Sequence, residues 1–157
     1  PGGVAYDLPL NFLDDLWLFC NQFSSRIDEI ENLLTNNRIW KQRLVNIGIL
    51  SYDKAAIFGA TGVLFRSTGV PWDLRKVMPY DGYELIPFDI PTGKTGDCFD
   101  RYLIRIEEMR QSLKILSYCI QKIPFGDVKT QNRKISAPSR AMMKTLMESL
   151  IHHFKLV

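Results

Sequence analysis

The sequence lacks a long apolar run. No hydrophobic stretch approaches the ~20 residues that cross a bilayer, so no membrane span is expected. Histidine is scarce, with His152 and His153 the only two, side by side. Three cysteines, Cys20, Cys98 and Cys119, form neither a metal-ligand spacing nor an even disulfide set, and there is no Cys-x-x-Cys. Without an Asn-x-Ser/Thr sequon either, a reducing compartment is the better reading. Charge of one sign is also lacking: 20 Lys+Arg against 17 Asp+Glu leaves +3, too little to argue for nucleic acid. The densest basic stretch holds only Lys129, Arg133 and Lys134 and reads as a solvated loop. RNA binding there is a weaker option, which binding insensitive to salt would exclude. The start, Pro1-Gly2-Gly3-Val4, has no initiator Met, no apolar signal core and no Arg-rich transit segment. With a helical pattern still running at Val157, the chain is expected to be incomplete at both ends.

What is present is a globular composition, 46% hydrophobic and 24% charged. A chain of 157 residues suits one domain, or part of a larger one. No internal repeat is visible. From about Leu10, Leu13, Leu16, Cys20, Phe23, Ile27, Ile30 and Leu34 recur in steps of three and four, which predicts a helix with one apolar face. Arg26, Asp28, Glu29 and Glu31 fill its other side, and Thr35-Asn36-Asn37 weakens it. Phe99, Tyr102, Ile106, Met109, Leu113, Leu116 and Ile120 predict a second long helix. Asp97 is its N-cap candidate, Asp100 and Glu107 suit the dipole, and Pro124 and Gly126 stop it. A third helix is expected from Ser136-Ala137-Pro138, with Met143, Leu146, Leu150 and Phe154 on one face. The fold class is therefore mainly α, with long amphipathic helices, a loop-rich middle and small β elements. Its parts are 1–44 (loop and long helix), 45–96 (loops with short strands), 97–124 (long helix) and 125–157 (loop and helix). The short strands are expected at Val45 to Leu50, Val63 to Phe65 and Glu84 to Phe88, with a small helix at Asp53 to Phe58. The middle is so rich in Gly and Pro that local propensity cannot fold it; surrounding structure must hold it.

Candidate chemistry is sparse. Pro91-Thr92-Gly93-Lys94-Thr95-Gly96 contains Gly-Lys-Thr, but a phosphate loop needs another Gly where Phe88 stands, and Pro91 removes an amide. A turn leading into the helix at Asp97 is the better reading. His152 and His153 point about 100° apart on a helix; Glu148 and His152 share a face and could pair, as a structural cluster rather than a metal site. Cys98 sits between Asp97 and Asp100 at a helix start, with no nearby His to act as base, so a cysteine nucleophile is not expected. Arg66, Asp73, Arg75, Lys76 and Asp81, among Trp72, Tyr80 and Tyr83, can form a polar network, an interface or a solvated loop. No residue is assigned as catalytic, and no metal site is expected.

Several strings carry a resemblance. They are Pro1-Gly2-Gly3-Val4 with Asp7-Leu8-Pro9, Leu34 to Trp40, Ser67 to Gly69 with Trp72 to Lys76, and Pro79-Tyr80-Asp81. Gly96 to Tyr102 with Glu108 to Leu113, and Met147 to Lys155, complete them. In this order, over essentially the whole chain, they resemble the 49 kDa-type, quinone-site subunit of respiratory complex I. The resemblance implies the central fragment of a fold shared with the large subunit of nickel–iron hydrogenases. It implies a part in NADH:ubiquinone oxidoreductase, where electrons reach ubiquinone through iron–sulfur clusters and drive proton pumping. The chain would help build the quinone site while holding no cofactor, the nearest iron–sulfur cluster lying in a neighbouring small subunit. Partners would be the other peripheral-arm subunits, that small iron–sulfur subunit, and the remaining pieces of the same subunit, supplied as separate chains if the gene is split. The location would be the mitochondrial inner-membrane complex on its matrix side, or the cytoplasmic side in a bacterium. The family's quinone-contacting His loop and Tyr lie upstream of the segment that Pro1 matches, so no Tyr or His here inherits those roles. Pro1, Gly2, Gly3 and Val4 become the stretch nearest the redox centres; Arg66, Asp73, Arg75, Asp97 and Arg101 become interface or structural residues. The alternative is a non-catalytic helical adaptor or assembly protein derived from the same family.

Overall fold

The protein is described by a computed structural model covering residues 2–156. In chain order it runs α1 (Phe12–Leu34), α2 (Arg38–Leu44), α3 (Tyr52–Ile57), α4 (Val63–Arg66), α5 (Leu74–Val77), a 3-10 turn (Tyr83–Leu85), α6 (Cys98–Lys122), α7 (Arg140–Thr145) and α8 (Met147–Leu156). Two compact units divide the chain, one of Leu13–Lys122 and one of Pro1–Phe12 with Ile123–Val157. No helix among the described residues is long and apolar enough to cross a membrane.

In the larger unit, α1 begins with Asp14 and Asp15 in its first turn, where the helix dipole favours acid. Cys20 and Ile27 are buried and Leu13, Leu16, Phe23 and Leu34 half-buried, which is the predicted face apart from Ile30 at 38% exposed. The helix ends at Leu34. Asn37 then starts α2 separately, its Oδ1 accepting from the amides of Ile39 (2.9 Å) and Trp40 (3.3 Å). Trp40 meets Tyr102 of α6 edge-on, with ring centroids 5.6 Å apart.

Helix α6 is buried on two sides. The predicted repeat from Phe99 to Ile120 is buried or half-buried throughout. Ile104 and Gln111, outside that repeat, are only 3% and 5% exposed. Their spacing with Glu108 makes a second seam, and the loop-rich middle packs there. The expected strands in that middle are absent among the described residues. Val63 to Arg66 is a turn of α-helix started by Gly62 at φ 64°, a left-handed conformation that costs glycine little. Tyr83–Leu85 is a 3-10 turn, and 45–50 is irregular. A strand needs a neighbour to receive its amides, and these amides find carbonyls in their own turns or polar groups on α6 instead. The small helix expected at Asp53 to Phe58 is present as α3.

In the smaller unit the one isolated β-bridge among the described residues pairs Gly3 with Lys129. The expected third helix is two: α7 and α8 are separated at Leu146, whose extended backbone (φ −124°, ψ 118°) breaks the run. Its expected apolar face is only partly covered: Met143 and Leu150 are half-buried, while Leu146 and Phe154 are 49% and 73% exposed. Ser149 is fully buried instead and accepts a hydrogen bond from Arg133 Nη1 at 2.8 Å.

Because Ile104 and Ile106 are 3% and 4% exposed, Ile104→Ala and Ile106→Ala should each cost about 2–5 kcal/mol, the usual range for emptying a packed aliphatic site. Urea unfolding of the chain measures this. A loss below about 1 kcal/mol for Ile104→Ala alone would mean that the second seam is not packed.

Candidate functional site

The residues with chemical potential gather in three places: two on α6 and one in the smaller unit.

At the head of α6, Asp97 is 3% exposed. Its Oδ1 accepts from the Asp100 amide at 2.8 Å, the N-cap bond expected from the sequence, and its Oδ2 accepts from the Asn46 amide at 2.9 Å. Backbone bonds join the same two stretches, Cys98 N to Ile47 O and Leu50 N to Gly96 O, both at 3.0 Å. Arg101 adds Nη2 donations to the carbonyls of Gly48 (2.6 Å) and Gly96 (2.8 Å). Gly96 has to be glycine: at φ 71°, a Cβ would lie 2.3 Å from the Leu50 carbonyl oxygen. The Gly-Lys-Thr turn curls around an anion, and that anion is internal. Asp100 Oδ2 accepts from the amides of Lys94 and Thr95, each at 2.7 Å, and from Thr95 Oγ1 at 2.9 Å. The amides a phosphate would need are therefore occupied.

On the second seam of α6, Arg66 is 9% exposed and pairs through Nη2 with Glu108, while its Nη1 donates to the Trp72 carbonyl at 3.1 Å. Glu108 also meets the exposed Arg105 at 3.2 Å. Gln111 takes the Asp89 amide on Oε1 (3.1 Å) and donates to Glu107 (2.8 Å). Asp73 caps α5 through the Arg75 amide and holds the Arg75 guanidinium, with the closest contact at 2.7 Å. The Arg75 and Lys76 cations lie 4.9 and 4.6 Å from the centroid of the buried Phe88 ring. Arg66, Arg75, Arg105, Glu108, Gln111 and Ser112 line part of a polar cavity of about 270 Å³. Between α1 and α6 a larger cleft of about 630 Å³ is lined by Cys20, Ser24, Leu113, Ser117 and Tyr118 among others. Arg110 at its edge reaches Glu31 and Asp28 of α1.

The third place is the start of the chain. Gly2 O accepts from Thr130 N (2.8 Å) and Val4 N donates to Val128 O (3.0 Å), which holds residues 2–4 against 128–130. A Cβ on Gly3 would come 2.3 Å from the Val128 carbonyl oxygen, so the backbones approach as closely as only glycine permits. Pro1, expected beside these residues, lies outside the described ones. Lys129 and Arg133 of the basic loop are thus engaged in backbone pairing and in the Ser149 bond. Glu148 and His152 share one helix face as expected, Oε1 lying 3.6 Å from Nε2, beyond hydrogen-bond range.

The five interface or structural candidates therefore fall into two groups, Asp97 with Arg101 and Arg66 with Asp73 and Arg75. Sequence reasoning had not singled out Glu108 or Gln111 as partners. The signal available was their spacing from Ile104, four and seven residues along the same helix. No three His, Cys, Asp or Glu among the described residues are placed to hold a metal.

The family pattern described as "Respiratory-chain NADH dehydrogenase, 49 Kd subunit" matches residues 1–157. This chain belongs to that family. It is 60% identical over 156 residues to "NADH dehydrogenase (ubiquinone) iron-sulfur protein 2" of Nephroselmis olivacea. It is 57% identical over 156 residues to "NADH-ubiquinone oxidoreductase 49 kDa subunit" of Reclinomonas americana. Over the same length it is 56% identical to an NADH-quinone oxidoreductase subunit of the bacterium Orientia tsutsugamushi. Each alignment takes in 99% of this chain and 39% of the relative, so the chain spans about two-fifths of the length of the relatives it matches.

Two outcomes follow for the carboxylates. Glu108→Ala strands the buried Arg66 charge and should cost about 3–5 kcal/mol, whereas Arg105→Ala, removing an exposed partner, should cost at most about 1 kcal/mol. Replacing both members of the pair by apolar residues should recover most of the loss, all three being read by denaturant unfolding. For Asp100, burial alone would raise the carboxyl pKa, but the amides of Thr95 and Lys94 and the Thr95 hydroxyl outweigh it and hold the pKa below the ordinary value. A depressed folded-state pKa means stability that is fully present above the unfolded value, near 3.9, and lost as pH falls through the folded one. Asp100→Asn should therefore narrow its stability gap to the parent chain below about pH 4. A gap that stays constant from pH 7 to pH 2 would contradict this.

Proposed function

We propose that this chain is part of the peripheral-arm subunit of an NADH:ubiquinone oxidoreductase and helps to build its quinone-reduction site. The observation that carries the reading is identity of 56–60% over almost the entire chain to proteins named for that activity. In the reaction, electrons drawn from NADH reduce the quinone, whose oxygens take up protons to form the quinol. Proton pumping would be driven by that step.

The chain's contribution would be scaffold. Helix α6, held at its head by Asp97, Asp100 and Arg101 and along its side by Arg66 and Gln111, gives the loop-rich middle a fixed frame. No described side chain is assigned to the redox step, and the iron–sulfur cluster that feeds the quinone would lie in a neighbouring small subunit. Residues 2–4, pinned to 128–130, would be the part closest to the quinone. The other peripheral-arm subunits and the remaining pieces of the same subunit would complete the site. The relatives come from eukaryotes and from bacteria, so the location would be the matrix side of the mitochondrial inner membrane or, in a bacterium, the cytoplasmic side.

Gly3→Val in the assembled complex tests the reading, because the added side chain must push residues 2–4 off Val128. The quinone-dependent rate should fall several-fold, while NADH oxidation by a hydrophilic artificial acceptor, which bypasses the quinone site, should not change. Loss of both rates together would reduce the role to general assembly; an unchanged quinone rate would remove residues 2–4 from the site.

A further inference from the structure

The polar cavity on the second seam of α6 is short of negative charge. Arg66 and Arg105 both pair with Glu108, and Arg75 pairs with Asp73, so three guanidinium groups share two carboxylates. Asp89 also lines the cavity, but its side chain is 87% exposed and its carboxylate faces Lys114, at 4.0 Å. The Lys76 ammonium adds a further cation, which shares the Phe88 ring with Arg75. These charges act as one group: after the bond to Asp73, the Glu108 charge also helps to hold Arg75 above the ordinary guanidinium pKa. Donors are left over. Arg66, 9% exposed, has a buried Nε with no hydrogen-bond partner. Arg75 spends only Nε and Nη2 on Asp73, and Arg105 touches Glu108 through Nη1 alone. Guanidinium forks with unused edges match a carboxylate in shape as well as in charge.

The surroundings are those of a contact between subunits rather than of a core. The apolar members of this stretch are already inside, Ile86 at 8% and Phe88 at 4% exposed. Outside remain Trp72, Tyr80 and Met78, at 39%, 50% and 69% exposed. Trp72 offers its carbonyl to Arg66, and Tyr80 packs on Tyr83, whose ring lies 5.8 Å from the Arg75 cation. Arginine, tyrosine, tryptophan and methionine are the residues that protein contacts enrich. We propose that the cavity and its aromatic rim seat an acidic side chain of a different subunit of the complex, its carboxylate held by Arg75 and Arg105. A free phosphate would meet the charge and leave the rim open, whereas a chain carrying Asp or Glu beside apolar residues meets both. At about 270 Å³ the cavity also falls below the usual range of small-molecule sites, roughly 300–1,000 Å³, which suits a single side chain better. The proposal rests on the proposed function only in taking the assembled complex as its setting.

The test places the photo-crosslinking p-benzoylphenylalanine at Tyr80 in that complex, with the exposed Ser25 of α1 as control. After irradiation, mass spectrometry should find position 80 linked to a peptide of a different subunit that carries Asp or Glu within a few residues of the link. Ser25 should not reach that peptide. Arg105→Glu should then lower, several-fold, the salt concentration at which that subunit is stripped from the complex, and exchanging the partner's acid for Arg should restore it. Arg105 is the position to change because its exposed ion pair contributes little to the fold. A link to the same polypeptide, to a peptide without an acid or to nothing would each overturn the proposal. So would a salt threshold that Arg105→Glu leaves unmoved or that the second exchange fails to restore. NADH:quinone activity of the unmodified complex keeps the two readings apart: its absence counts against the enzymatic one, while an active complex with any of the contrary results sinks only the docking site.

Discussion

Everything in the larger unit depends on the hydrogen bonds that α6 offers to chain segments unable to satisfy themselves. Residues 45–96 form no sheet, and helices α3 to α5 are four to six residues long. Their buried amides and carbonyls still need partners, because an unmet buried polar group costs about 1–3 kcal/mol. Helix α6 supplies several. Asp97 takes the Asn46 amide, Arg101 the Gly48 and Gly96 carbonyls, Asp100 the Lys94 and Thr95 amides, and Gln111 the Asp89 amide. Two of these residues also perform their ordinary local duty, Asp97 as the cap and Asp100 as the acid of the first turn. A helix terminus has free amides to satisfy in any case. Placing carboxylates there lets one cluster close the helix and anchor the loops.

How much of this could be read from the sequence follows from which interactions are local. The apolar repeats of α1 and α6 were legible because a 3.6-residue period writes a buried face directly into spacing. The Asp97 cap was legible because it acts within three residues. The second seam of α6 was not, since two of its members, Glu108 and Gln111, are polar. Gln111 is buried and Glu108 half-buried because the Asp89 amide and Arg66, 22 and 42 residues away, come to meet them. Val63 to Phe65 looked like a strand by composition, yet a strand is stable only beside another, and the left-handed Gly62 turned the chain into a helix first. The C-terminal pattern misled for a related reason. Its apolar residues repeat regularly, but the buried position went to Ser149, whose hydroxyl Arg133 engages, and not to Leu146 or Phe154.

The same geometry explains why Gly-Lys-Thr here is not a nucleotide signature. A phosphate loop and this turn use one physical device, successive backbone amides converging on negative charge. The difference is where the charge comes from. Asp100, five residues beyond Thr95, supplies it from within the chain and closes the turn on the head of α6. A short motif therefore reports a backbone shape, and only the group that fills the shape decides between ligand and scaffold.

The protonation behaviour of the anchoring residues points the same way. A proton donor for a quinone must change its own protonation near the working pH. Asp73, with its carboxylate hydrogen-bonded by the Arg75 side chain, is held below the ordinary carboxyl pKa, as is Asp100. Arg75, bonded to Asp73, and Arg110, bonded to Glu31 and Asp28, are held above the ordinary guanidinium pKa. All four stay charged across the physiological range and none can release or take a proton there. The interactions that make these side chains good anchors thus disqualify them as proton donors. Such locked charges belong to the frame, and any titrating groups must be found on other residues.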